Sequence, residues 1–190
     1  SFLVEALRQS VDEMTSRGVA SKNAIQSSLE LIHGLDINVF ASFITQLQFL
    51  WTLFPYLEAD QRTRLPELQV YGGLNSLEYD PQLTLAEAVT APLEREATLV
   101  RDSRYRLVVG NPPYIRNERL KDRGPWRAFY STVDTRNSDI AFFFVQRALL
   151  GGRRRTDSGE DVMPAWLEDK GILGFVLSLG FANSAAALAL

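Results

Sequence analysis

The stretch YRLVVGNPPY, residues 105–114, runs from an apolar segment directly into two adjacent prolines. Both proline rings fix the backbone φ angle near −65° and remove a backbone N–H donor, so a regular element cannot continue through them. The residue before each proline is also shifted toward an extended conformation. We therefore predict a strand over residues 105–110 that ends in a rigid turn at Asn111–Tyr114.

Other short apolar segments predict further strands at residues 29–37, 68–74 and 171–179. Segments with helical spacing lie around them, and they predict helices at residues 1–18, 38–54, 138–150 and 181–190. The first of these helices starts without a visible cap, and residues 151–164 are interpreted as a loop. Apolar strands that alternate with helices indicate an α/β fold with a mostly parallel sheet.

The longest apolar run, residues 39–57, is long enough for a membrane span to be considered. Gln46, Gln48 and Thr52 interrupt it, and its large apolar residues recur at helical spacing on one face. We therefore interpret the segment as a core helix and expect no membrane partner. The residues on this predicted core face are Phe40, Phe43, Ile44, Leu47, Leu50, Trp51 and Phe54.

Composition limits the chemistry of the chain. Its 190 residues contain no cysteine and a single histidine, His33, which excludes disulfides, thiolate metal sites and a cysteine nucleophile. We predict no metal site. The net charge is −3, but residues 101–136 carry nine basic and four acidic side chains. Because this excess surrounds the proline turn, we expect a phosphate-facing surface rather than an ordinary solvated face.

The predicted strands end at Asp36, at Asn75 and at the Asn111–Tyr114 turn, and the carboxyl ends of parallel strands are where ligands bind. The turn offers two acceptors, the Asn111 side-chain carbonyl and the Pro112 backbone carbonyl, beside the aromatic face of Tyr114. This set suits a planar ring with an exocyclic NH2 group. Accepting hydrogen bonds from both N–H groups favours a pyramidal nitrogen with its lone pair available for attack.

The Asn-Pro-Pro-Tyr turn resembles the catalytic motif of amino-directed nucleic-acid methyltransferases that use S-adenosylmethionine, in the form usual in adenine-N6 DNA methyltransferases. Other segments resemble the remaining motifs of the restriction–modification and phage-exclusion enzymes of this family in the same order. They are SFLVEAL, IHGLDIN, GGLNSL, SDIAFFFVQRAL and GILGFVLSLGFANS. The resemblance implies a Rossmann-like methyltransferase fold, with a mostly parallel sheet and flanking helices.

The resemblance also assigns roles to individual residues. Catalytic roles fall on Asn111, Pro112, Pro113 and Tyr114. Asp36 would hold the cofactor ribose, Asn75 would contact the cofactor adenine where the family usually has aspartate, and Asn111 would also lie at the cofactor. Contacts with DNA would come from Tyr114, Arg116, Arg119 and Lys121. Two residues have structural alternatives, because Asp36 could cap the following helix and Asn75 could be a turn residue.

The resemblance places a glycine-rich cofactor loop and the central strand before Ser1, and a DNA-recognition domain after Leu190. We therefore expect residues 1–190 to form a partial catalytic domain, incomplete at the N-terminus, of a longer cytoplasmic enzyme. The expected partners are double-stranded DNA and other restriction or defence-system subunits. Three alternatives stay open: glutamine N5 methylation of translation factors, cytosine-N4 methylation, and a non-catalytic scaffold.

Overall fold

The computed structural model describes residues 1–57, 67–79, 92–115, 125–134, 139–157 and 159–182. The chain divides into two compact units. The first comprises Ser1–Ser76 and Pro92–Arg101, and the second comprises Leu77–Ala91 and Asp102–Leu190.

Besides a 3-10 helix at Phe54–Tyr56, the first unit contains four α-helices and two strands among its described residues. They are α1 (Phe2–Ser16), α2 (Ser21–Leu31), β1 (Gly34–Asp36), α3 (Val39–Leu53), β2 (Val70–Gly72) and α4 (Pro92–Asp102), whose last residue belongs to the second unit. β1 and β2 pair in parallel, with Gly34 opposite Val70 and Asp36 opposite Gly72. α1 does have a cap, contrary to prediction, because the Ser1 hydroxyl accepts from the Val4 backbone N–H at 3.4 Å.

The predicted strand over residues 29–37 is too long, because residues 29–31 belong to α2. Only Gly34–Asp36 form the strand. One face of α2 is buried, and the Ser28 hydroxyl on that face lies 2.8 Å from the Ser10 hydroxyl of α1. Serines at helix-face positions weakened the apolar spacing that would have identified this helix. The buried residues of α2 are Ala24, Ile25, Ser28 and Leu29.

The predicted core face of α3 is wrong, although the helix itself is confirmed. Most of its large apolar residues are exposed, Trp51 to 85%, whereas Ser42, Phe49 and Leu53 are buried. The side of α3 that carries Ser42 packs against the backbone of β2, and the Gln46 side-chain amide donates to the Val70 carbonyl at 2.6 Å. The exposed apolar residues are Phe40, Phe43, Ile44, Leu47, Trp51 and Phe54.

The second unit combines a parallel strand pair, a hairpin and helices. Its elements are β3 (Tyr105–Gly110), a 3-10 helix (Pro125–Tyr130), α5 (Ile140–Leu149), β4 (Gly152–Thr156), β5 (Gly159–Met163), β6 (Leu167–Phe175) and α6 (Leu179–Ala182). β3 has the predicted bounds and pairs in parallel with β6, with Gly110 opposite Phe175. β6 begins four residues earlier than predicted, at Leu167 rather than residue 171.

Residues 151–164 are not the predicted loop, because β4 and β5 form an antiparallel hairpin there. Opposite charges face each other across it, which stabilises strand pairing. Arg154 and Asp161 form an ion pair at 2.6 Å, and the Arg154 guanidinium lies 4.7 Å from the centre of the Phe129 ring. The high charge of residues 151–164 is typical of a loop, so the sequence did not indicate that they pair as strands.

The two parallel pairs, β1–β2 and β3–β6, lie in different units, and they agree with an α/β domain of mixed helices and small sheets. A single Rossmann-like sheet stays a prediction. Within the described ranges, no helix combines the length and the hydropathy needed to cross a membrane.

Candidate functional site

The Asn-Pro-Pro-Tyr turn begins where β3 ends, and β6 holds it at that point. Beyond the last paired residues of the two strands, the Val176 backbone N–H donates to the Gly110 carbonyl at 3.0 Å. Asn111 follows directly and is exposed, whereas Pro112 is buried. The turn therefore starts at a fixed point at the end of a parallel strand pair. The sequence predicted that β3 would end here.

The Tyr114 side chain folds back over the turn. Its hydroxyl lies 2.8 Å from the Val176 carbonyl oxygen and 3.0 Å from Asn111 Oδ1. The side chain nevertheless stays 47% exposed. The Asn111 amide and the Tyr114 ring are therefore both exposed to solvent, and the Tyr114 hydroxyl links them.

The far end of the turn is held as well. The Ile140 backbone N–H, at the start of α5, donates to the Ile115 carbonyl at 2.9 Å. Asp139 caps the same helix by accepting from the Ala141 N–H at 3.3 Å. The turn is therefore anchored to β6 at one end and to α5 at the other, so its acceptors are held in place by the fold.

Asp36 lies exposed at the carboxyl end of β1, and it is not the cap of α3. Asn38 has that role, because its Oδ1 accepts from the Phe40 and Ala41 N–H groups at 2.9 and 3.3 Å. Asp36 Oδ1 instead accepts from the Asn38 N–H at 2.8 Å. The structural alternative for Asp36 is thus wrong, and its carboxylate is held in a tight local turn at the strand end.

Asn75 follows the carboxyl end of β2, which lies beside the carboxyl end of β1. The Gly73 N–H donates to the Asp36 carbonyl at 3.0 Å, and Gly73 has a φ of +87°, which turns the chain after the strand. Asn75 is half-buried. The structure therefore places Asp36 and Asn75 at the carboxyl ends of β1 and β2 in the first unit. The proline turn belongs to the second unit.

Only part of the basic segment is available for a polyanion. Arg101 is buried, Arg104 donates to the Leu167 carbonyl at 3.1 Å, and Arg127 pairs with Asp134 at 2.6 Å. These side chains stabilise the fold, so the charge count over residues 101–136 overstates the free positive surface. The predicted DNA contacts Arg116, Arg119 and Lys121 lie outside the described residues.

Sequence reasoning missed the part that Val176 plays in this site. Val176 contributes only its backbone N–H and carbonyl to the turn. No side-chain pattern signals such a role, and only the pairing of β6 with β3 could have pointed to it.

A family model for the Eco57I restriction-modification methylase matches residues 30–155. The matched segment covers about two thirds of the chain, and it contains both Asp36 and the Asn-Pro-Pro-Tyr turn. Comparison with curated proteins and with solved structures found no significant match.

Proposed function

Since this chain belongs to the Eco57I restriction-modification methylase family, we propose that it methylates the N6 amine of adenine in double-stranded DNA, with S-adenosylmethionine as methyl donor. The activity would serve restriction–modification or phage defence in the cytoplasm. The observation that carries the proposal is the Asn-Pro-Pro-Tyr turn, anchored to β6 and α5 at the end of a parallel strand. Family membership favours DNA over translation factors as the substrate.

In the proposed mechanism, the turn activates the target amine. Asn111 Oδ1 and the Pro112 carbonyl each accept one N–H of the amine, which favours a tetrahedral nitrogen and stabilises the positive charge that develops during attack. Pro113 keeps the Pro112 carbonyl in place by its restricted φ angle. These acceptors are preorganised, because the turn is held at both ends.

The residues at the β1–β2 edge fit the proposed cofactor chemically. Asp36 offers an exposed carboxylate for ribose hydroxyls, and Asn75 offers an amide carbonyl for the adenine amine. We also propose a cofactor contact for Asn111, as the resemblance implies. When bound, S-adenosylmethionine supplies an electrophilic methyl group on a sulfonium. The chain's own contribution is to bind it at the strand ends and to present the amine.

The target adenine must leave the DNA duplex to reach the turn, as in other enzymes that modify bases. We propose that the exposed Tyr114 ring stacks on the extruded base. Arg116, Arg119 and Lys121 follow the turn in sequence, and we propose that they contact the DNA phosphates.

The substitution Asn111→Ala in the full-length enzyme tests this function. Removing one preorganised group of this kind raises the barrier by about 3 kcal/mol, so we expect single-turnover methylation of DNA to fall at least about a hundredfold. Cofactor binding should change far less, because the lost acceptor acts on the target amine.

The matched control is Asn23→Ala, which removes an exposed asparagine from α2 and should leave the rate unchanged. An Asn111→Ala enzyme that keeps more than about half its turnover would refute the assignment. Digestion of the methylated DNA and mass spectrometry of its nucleosides would distinguish N6-methyladenine from N4-methylcytosine.

A further inference from the structure

The Tyr114 hydroxyl has two close neighbours but only one proton to donate. The Val176 carbonyl oxygen lies at 2.8 Å and the Asn111 side-chain amide at 3.0 Å. The carbonyl can only accept a hydrogen bond. If the amide also presents its oxygen, the single proton must be shared between two acceptors and one of the two bonds is weakened.

The amide can resolve this conflict by rotating half a turn about its last bond. Its oxygen and its NH2 group are nearly the same in size and shape, so the hydrogen-bonding network decides which of them faces a neighbour. When the NH2 group faces Tyr114, the hydroxyl donates to Val176 and accepts from Asn111. Both hydrogen bonds are then fully formed.

We propose that the Tyr114 hydroxyl orients the Asn111 amide in this way. Asn111 Nδ2 donates to the hydroxyl, and Asn111 Oδ1 is thereby turned away from Tyr114, where it can accept from the target amine. The inference rests on the proposed function of Asn111 and adds a positioning role to Tyr114. Stacking on the base needs only the ring, whereas this role needs the hydroxyl.

The fold supplies a fixed reference for this orientation. The N–H of Val176 is bonded to the Gly110 carbonyl at 3.0 Å, so the Val176 carbonyl keeps its position relative to the residue that precedes Asn111. The Val176 carbonyl, directly after β6, thus fixes the Tyr114 hydroxyl, and the hydroxyl in turn determines the orientation of the Asn111 amide.

The substitution Tyr114→Phe in the full-length enzyme keeps the ring and removes the hydroxyl. We expect the single-turnover rate of methyl transfer to fall about tenfold, the effect of one neutral hydrogen bond. Dissociation constants for S-adenosylmethionine and for DNA should change by less than about twofold. The control Tyr56→Phe removes a hydroxyl that bonds Asp12 in the first unit, and it should leave the rate unchanged.

A double-mutant cycle with Asn111→Asp separates orientation from other effects of the hydroxyl. A carboxylate has two equivalent acceptor oxygens and no N–H, so no orientation has to be selected. In the N111D background, Y114F should change the rate by less than about twofold. An equal loss in both backgrounds would overturn the proposal.

Spectroscopy gives an answer even if N111D is inactive. The side-chain amide signal of Asn111 in a ¹H–¹⁵N spectrum, assigned by its disappearance in N111D, should shift in Y114F because the Nδ2 proton loses its acceptor. An unchanged signal together with a wild-type rate in Y114F would overturn this inference alone. Retained turnover in Asn111→Ala would instead refute the proposed function.

Discussion

At the scale of single residues, Gly72 sets how closely α3 approaches β2. A Cβ atom at this position would overlap the Ser42 hydroxyl oxygen and lie 2.7 Å from the Val39 Cα atom. Because backbone atoms cannot yield as a flexible side chain can, a larger residue would force helix and strand apart. The close contact also explains why the small Ser42 is buried on α3 while larger apolar residues of the helix are exposed.

We therefore expect Gly72→Ala to lower the free energy of unfolding by about 1–3 kcal/mol, the usual cost of overpacking. Urea denaturation followed by far-UV circular dichroism measures the change. The control is Gly174→Ala in β6, where a Cβ would lie 3.4 Å from Val109 Cγ1 in ordinary contact, and it should change stability by less than about 0.5 kcal/mol. Equal effects in the two variants would contradict the packing argument.

The residues that we propose for chemistry could be identified as candidates from the sequence alone. Asn111, Pro112, Pro113 and Tyr114 are adjacent in sequence, and each side chain has a distinct property that points to the turn. The tie to Val176 could not be predicted, because it depends on which strand pairs with β3. The proposed roles of these residues stay predictions until the variants are measured.

At the scale of elements, local signals predicted helices and strands better than they predicted the packing of each element. β3 was predicted to the residue because two prolines stop it. α3 was predicted as a helix, but an amphipathic pattern cannot show which face a neighbouring strand will cover. α2 was missed because a serine occupies part of its buried face. The β4–β5 hairpin was missed because charged residues pair across its strands.

The hairpin offers a test of those cross-strand charges. We expect Arg154→Met to lower the free energy of unfolding by about 0.5–1 kcal/mol, because it removes a partly buried ion pair and a contact with the Phe129 ring. Fluorescence of the buried Trp126 and Trp166 during urea unfolding reports on this unit.

The matched control is Arg153→Met. Its ion pair with Glu160 is 3.5 Å long, and the Arg153 side chain is 72% exposed, so its loss should have almost no effect. If both arginines contributed equally, the partial burial of the Arg154–Asp161 pair and its contact with Phe129 would not be what stabilises the hairpin.

At the scale of the whole molecule, charge is divided between folding and the proposed binding of DNA. The net charge of −3 gives no general attraction for a polyanion, and several arginines of the basic segment pair within the fold. Binding to phosphates would then depend on a small number of side chains, with Arg116, Arg119 and Lys121 the proposed ones.

We expect Arg119→Ala to weaken DNA binding by the full-length enzyme equally for all sequences. It should also reduce the slope of log K against log salt concentration by about one, since one fewer counterion is released. Fluorescence anisotropy at several salt concentrations measures both quantities. The control is Arg17→Ala, which removes the same charge from an exposed position directly after α1. An unchanged slope in Arg119→Ala would remove this residue from the interface.

The carbonyl of Val176 has a consequence for how this site can change over evolutionary time. Every amino acid supplies the same backbone carbonyl, so substitutions at position 176 are expected to be silent, apart from proline, which would lose the N–H bonded to Gly110. Gain or loss of one residue in β6 would instead shift that carbonyl out of reach of Tyr114. Evolution should therefore tolerate substitutions at position 176 but not insertions or deletions in β6. A comparison of aligned residue identities would not reveal the role of this position.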